Sequence, residues 1–223
     1  MTGISPKTLN IVLHELFDLK AITGANNKEY RVALDLYKEY FSTSGPAVAN
    51  SLKVKEEDQI NMKREFQNFL SMKKLIIADN HTFLEGSRLN DLTSHLIENV
   101  RTELLIVNPF IDKANMVNDM KGSAQKGRRI RLLIRPPEGK EKCDQIDKFQ
   151  EYGLEILTNP SIHAKIMVFD RGVAIISSMN LYAFSVGGGS WEAGIATCSE
   201  DVLNDVLNGI NMKFEEKETC SWK

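Results

Sequence analysis

The chain has 223 residues, with 28 Lys and Arg against 30 Asp and Glu, so its formal net charge is −2. That balance excludes a strongly basic coat for non-specific nucleic-acid binding and leaves room only for a local basic cleft. Hydrophobic residues make up 42%, enough for a real core in one large or two small domains, and no apolar run approaches the ~18 residues of a membrane span.

Residues 1–86 read as mainly helical. Ser5-Pro6 can open a first helix whose apolar face is Leu9, Val12, Leu13, Leu16 and Phe17. A second is expected over 28–41, and Ser42-Thr-Ser-Gly45-Pro46 breaks the pattern. A short third helix is expected over 47–52, and a fourth over 56–71 with Ile60, Phe66, Phe69 and Leu70 inward. Lys74–Ala78 and Thr82–Leu84 then read as a small hairpin. Helices followed by a hairpin suggest a winged-helix-like domain that binds DNA. The basic residues are scattered, however (Lys53, Lys55, Lys63, Arg64, Lys73, Lys74), which fits a helical cap or dimerisation module equally.

From residue 87 onward, strand and helix patterns alternate. A helix capped by Asn90 precedes the apolar run Glu103–Val107, and Asn108-Pro109 ends that strand. Helices are expected over 113–126, 141–152 and 200–216, and strands over 129–135 and 154–157. The runs Ile166–Phe169 and Val173–Ile176, separated by Gly172, predict a strand pair. Alternation of this kind predicts an α/β fold, a sandwich with a largely parallel central sheet and pockets at the strands' carboxyl ends. Arg129, Arg131 and Arg135 share one side of their strand and are expected to bind substrate as a rim for a polyanion. The bland alternative is a solvated strand edge.

The residues richest in chemistry lie around the last two strands. His163 and Lys165 sit two apart, so an extended chain sends both to one face. The returning strand ends at Ser177-Ser178-Met179-Asn180, and Glu192 follows a glycine run. A lone His at a strand start is ordinarily structural. An imidazole, an ammonium, hydroxyls and an amide at one sheet edge are instead the groups that grip and attack a phosphate ester. Asp170 lies in the turn before Gly172 and reads as an ordinary turn residue.

The spacing His163-x-Lys165-x4-Asp170, then Ser178-x-Asn180 and Glu192, resembles the signature of the phospholipase D superfamily. Ser177 stands where that family usually has glycine, and Ser190 where its nuclease branch commonly has Asn. The resemblance covers residues 87–223 and implies a phospholipase D-like catalytic domain there, with 1–86 as a separate N-terminal domain. It implies catalysis by His163, Lys165, Asn180, Glu192, Ser178 and Asp170. The His163 nitrogen would form a covalent phosphohistidine, Glu192 would orient the ring, and Lys165 and Asn180 would hold phosphate oxygens, with Ser178 adding a hydrogen bond. No cofactor and no metal are required. The general acid in this family is a second copy of the histidine motif, and His14, His81 and His95 all lack the Lys two residues on. A homodimer with one composite site is therefore expected.

The leading expectation is a metal-independent phosphodiesterase, an endonuclease with nucleic acid as partner and DNA favoured over RNA. The alternatives are a lipid-directed phospholipase D-type hydrolase or transferase, and a non-catalytic winged-helix regulator with a phospholipase D-like sensor domain. Cys143, Cys198 and Cys220 form no Cys-x-x-Cys pair, and the N-terminus carries no charged-then-apolar signal. A cytoplasmic protein without disulfides is expected.

Overall fold

A computed structural model of the chain describes residues 54–78, 80–112, 115–181 and 190–222. Its elements in order are α1 (Glu56–Met72), β1 (His81–Glu85), α2 (Gly86–Asn99), β2 (Glu103–Val107), α3 (Asn115–Gln125), β3 (Arg129–Ile134), α4 (Lys140–Glu151), β4 (Leu154–Thr158), β5 (Ile166–Phe169), β6 (Val173–Ser177), β7 (Ala193–Thr197), α5 (Glu200–Phe214) and β8 (Cys220–Ser221). The strands form one eight-stranded sheet in the order β1-β7-β6-β5-β2-β3-β4-β8.

The sheet is mixed, which corrects the expectation of a largely parallel one. Only β2 with β3 and β3 with β4 run parallel. The chain between those strands is helical, and a parallel pair needs such a crossover. β5 and β6 are joined by a tight turn and run antiparallel, as do β1–β7, β6–β7, β2–β5 and β4–β8.

Both faces of the sheet's centre are covered, so β2 is buried at every position. Leu104 and Ile106 point into the larger core with side chains from α1, α2, α3 and α4. Leu105 and Val107 point the other way, into a smaller core with Leu203 and Ile210 of α5. This explains why β2 reads as a continuous apolar run and not as an alternation. Each fully buried side chain such as Phe169 or Phe66 contributes on the order of 1.5–3 kcal/mol.

The compact unit containing the sheet takes in all the described residues, from Val54 onward. The helix and strand at 56–85, expected in a separate N-terminal domain, belong to this unit. Met62, Phe66, Phe69 and Leu70 of α1 enter the larger core, and all five residues of β1 pair with β7. The expected hairpin over 74–84 is reduced to one bridge, Ala78 with His81. The helices expected before residue 54, and with them most of the winged-helix expectation, lie outside the described residues. Among the described residues no helix is long and apolar enough to cross a membrane.

Candidate active site

The strand registers bring five of the six motif residues, all but Asp170, to one edge of the sheet. Ile166 at the start of β5 lies opposite Val107 at the end of β2 and opposite Ile176 near the end of β6. Ser177 pairs with Gly194 near the start of β7. His163, Lys165, Ser178, Asn180 and Glu192 therefore extend from neighbouring strand ends on the same side. Gly194 is needed for this closeness, because a Cβ there would lie 2.6 Å from Ser177 Cβ and 2.7 Å from the Ile176 carbonyl oxygen.

His163 is exposed, and the Lys165 ammonium donates to its carbonyl oxygen at 3.0 Å. The loop that carries His163 is held from several sides. Ile162 is buried in the smaller core, and its carbonyl accepts from Arg135 Nε at 2.6 Å. Asn159, wholly buried, accepts from the backbone N–H and the hydroxyl of Ser161 at 2.8 and 2.7 Å. Its own amide donates to Glu216 and Thr219 at 3.0 and 2.9 Å.

Glu192 is largely buried and accepts from two hydroxyls, Ser178 Oγ at 2.5 Å and Ser190 Oγ at 2.7 Å. Ser178 Oγ also accepts from the Ala193 N–H at 3.2 Å. Ser190 is thus a site residue that the motif did not assign. The signal was present in the sequence, since Ser190-x-Glu192 places both side chains on one face of an extended segment.

Asn180 is half-buried, and its Oδ1 is buried with no hydrogen-bond partner among the described residues. An unpaired buried acceptor costs about 1–3 kcal/mol. Turned about its last torsion, the amide presents an N–H2 group at the same point, the donor a phosphate oxygen requires. The flanking backbone is fixed by Asn108, a second residue the sequence reading passed over. Buried at the end of β2, Asn108 donates to the Met179 carbonyl at 3.0 Å and accepts from the N–H groups of Phe110 and Leu181 at 3.3 and 3.4 Å.

Asp170 lies at the opposite edge. Wholly buried, its carboxylate accepts from the N–H groups of Arg101, Thr102 and Glu103 at 2.8, 2.9 and 2.8 Å. Burial pushes this carboxyl above its ordinary range, and the three donors pull it partly back. Asp170 and Arg171 form a left-handed turn with φ of 44° and 53°. Gly172, which separates the two apolar runs, serves a different need, because a Cβ there would lie 2.5 Å from the Gln59 carbonyl oxygen of α1.

The expected arginine rim divides. Arg135 lies past the end of β3, at the motif edge. Arg129 lies at the strand's start, about 20 Å away by strand rise. It donates to Glu155 at 2.9 and 3.1 Å and lies 3.8 Å from Glu103. Arg131 lies 3.4 Å from Glu155 and stacks over the Phe214 ring at 4.3 Å. Burial and the neighbouring Arg129 pull the Arg131 guanidinium below its usual range. The structure does not bring Arg129 and Arg131 to the motif edge; they form an ion-paired cluster at the far end. Among the described residues no group of three His, Cys, Asp or Glu side chains is placed to hold a metal ion.

The family model described as "Cardiolipin synthase, PLD-like domain" matches residues 93–215, more than half of the chain. The chain belongs to the phospholipase D-like family. All six motif residues lie inside the matched stretch. The phospholipase D-like fold also recurs in solved structures. Nuc from Salmonella typhimurium, a phospholipase D family member, superposes with a TM-score of 0.55 at 10% identity, over 63% of this chain and 97% of Nuc. NucT from Helicobacter pylori gives 0.53 at 11% identity, over 63% and 98%. Phosphatidylserine synthase from Haemophilus influenzae Rd KW20 gives 0.51 at 16% identity, over 63% of this chain and 39% of that one. No curated protein sequence matches the chain.

Proposed function

We propose that this phospholipase D-like chain is a metal-independent phosphodiesterase, an endonuclease that cuts nucleic acid with DNA favoured over RNA. The observation that carries the reading is the convergence of His163, Lys165 and Asn180 on one sheet edge beside the Ser178–Glu192–Ser190 cluster. An unprotonated His163 nitrogen attacks phosphorus and forms the N–P bond as the P–O bond to the leaving alcohol breaks. The leaving oxygen takes its proton from a second imidazole. Lys165 and Asn180 offset the charge that grows on the non-bridging oxygens. In the second half, the second imidazole, now unprotonated, takes a proton from water as the water oxygen bonds to phosphorus and the N–P bond breaks, which restores both imidazoles. Glu192 holds the two hydroxyls in place and serves as the orienting carboxylate of the site.

The second imidazole comes from a second copy of the chain, so the active form is a homodimer with a composite site. An uncovered apolar row next to the motif edge supports this. Phe83, Ile195 and Ile176 are aligned across β1, β7 and β6 and are 61%, 49% and 39% exposed. They lie on the face where α5 covers the neighbouring strands.

The test is cleavage of plasmid, single-stranded DNA and RNA in EDTA, with His163→Ala in parallel. Cleavage that survives EDTA and is lost in the variant supports the reading. Cleavage that persists in the variant rejects His163 as nucleophile. The family description names cardiolipin synthase, and this favours phosphatidyl transfer as the second reading. Turnover of phospholipid vesicles without turnover of nucleic acid would select it.

A further inference from the structure

A cavity of about 570 Å³ opens beside the motif edge, outside the residues of the motif. It lies beyond the carboxyl ends of the parallel pair β2 and β3, where α/β sheets form ligand crevices. Its size is that of a small-molecule site. Phe110 follows β2, Arg135 follows β3, and Gln145 and Ile146 come from α4; Ile134 and Ile146 supply buried apolar surface.

Three features restrict the occupant. The charged lining has two cations, Arg135 and Lys142, against Asp112, Glu138 and Glu141, so the cavity does not select a phosphate. Its mixed rim of carboxylates and amide does not suit an acyl chain. Gln145 has a buried side-chain Nε2 with no hydrogen-bond partner among the described residues, a donor awaiting an acceptor. An apolar lining with an aromatic ring, an amide donor and carboxylate acceptors matches a planar heterocycle with carbonyl and N–H groups on its edge.

The cavity is also joined to the reactive edge. Arg135 donates to the carbonyl of Ile162, the residue before His163, while its guanidinium lies 5.7 Å over the Phe110 ring in the cavity wall. A group seated there is one side chain from the loop that presents the nucleophile.

We infer that this cavity is a nucleobase subsite, taking the base of a nucleotide that flanks the scissile phosphate in a single-stranded segment. The inference rests on the nuclease reading and adds the recognition element that the motif lacks. Phe110 stacks on the base, Gln145 donates to a base carbonyl, and Glu141 accepts from a base N–H or amino group.

The test is fluorescence anisotropy on the full chain carrying His163→Ala, with two labelled probes in EDTA. One probe is a tetradeoxycytidylate, and the other is the same backbone with abasic sites at every position. The inference predicts at least about tenfold tighter binding of the base-bearing probe. It predicts that Gln145→Leu and Phe110→Ala each remove most of that difference and leave abasic binding unchanged. Equal binding of the two probes overturns it. So does a difference that survives both variants, or a loss that affects both probes alike. Failure of the nuclease reading is seen separately. Hydrolysis of bis(p-nitrophenyl) phosphate, which has no nucleobase, by the chain with His163 intact reports on the reactive edge alone.

Discussion

His163 is exposed, so removing its ring tests chemistry and leaves stability nearly untouched. His163→Ala should alter the unfolding free energy by no more than about 0.5 kcal/mol. It should lower turnover by about 10³-fold or more. Urea melts and single-turnover rates on one preparation check both. Asp170 should behave in the opposite way. Asp170→Asn places an N–H2 group against backbone donors at Arg101, Thr102 and Glu103 and should cost about 1–3 kcal/mol. Because burial holds the Asp170 carboxyl above its ordinary 3.8, its stabilising contribution is complete below that value. It is lost as pH rises through the shifted one. Urea midpoints across acid pH should therefore show a slope in the wild type that Asp170→Asn removes. At this scale the sequence was legible where spacing alone decides. His163 and Lys165 two apart, and Asp170 as a structural turn residue, needed no tertiary information. The placement of Arg129 and Arg131 was not legible, because their partner Glu155 sits on another strand, which alternation within β3 cannot reveal.

The strand ends hold the site together, and two substitutions there separate packing from chemistry. Gly194→Ala drives a methyl into Ser177 and the Ile176 carbonyl. It should destabilise by about 1–3 kcal/mol and slow turnover by moving Ser178 away from Glu192. Asn108→Leu keeps the side-chain volume but leaves the Met179 carbonyl and the Phe110 and Leu181 N–H groups unpaired. It should lower kcat at least tenfold with little change in KM, because Asn180 loses its fixed backbone. Asn108→Asp retains the two accepting bonds and should recover part of the rate. Steady-state kinetics on a defined oligonucleotide distinguishes these outcomes. The strands themselves were readable as apolar runs, and the β5–β6 hairpin was read with its pairing. The sheet's mixed character was not, because the direction of β7 and β1 depends on pairings with distant parts of the chain. Asn108-Pro109 looked like an ordinary strand ending, and the three hydrogen bonds of the Asn108 side chain have no local signature.

The 223 residues carry one His-x-Lys motif, so the account requires two chains for each site. Replacing Ile195 and Phe83 of the uncovered row by Glu should yield monomers by light scattering, with turnover lost while His163 remains. Mixtures of wild-type and His163→Ala chains, co-refolded, should lose activity as the square of the wild-type fraction. Two independent sites would give a linear loss. The family was legible from six residues at fixed spacing, and the match over residues 93–215 agrees with it. The boundary drawn at residue 86 followed a change in sequence pattern. It missed that β1 finds its partner in β7, far along the chain.

The central claim is that phosphorus is bonded to His163 during turnover. The most direct measurement is an alkaline quench of the wild-type chain with a 5′-labelled single-stranded oligonucleotide in EDTA, followed by intact mass and peptide mapping. The account predicts a nucleotidyl adduct on His163, stable to base, released by acid and absent from His163→Ala. Rapid cleavage with no adduct at any quench time, or an adduct mapped to another residue, would contradict it.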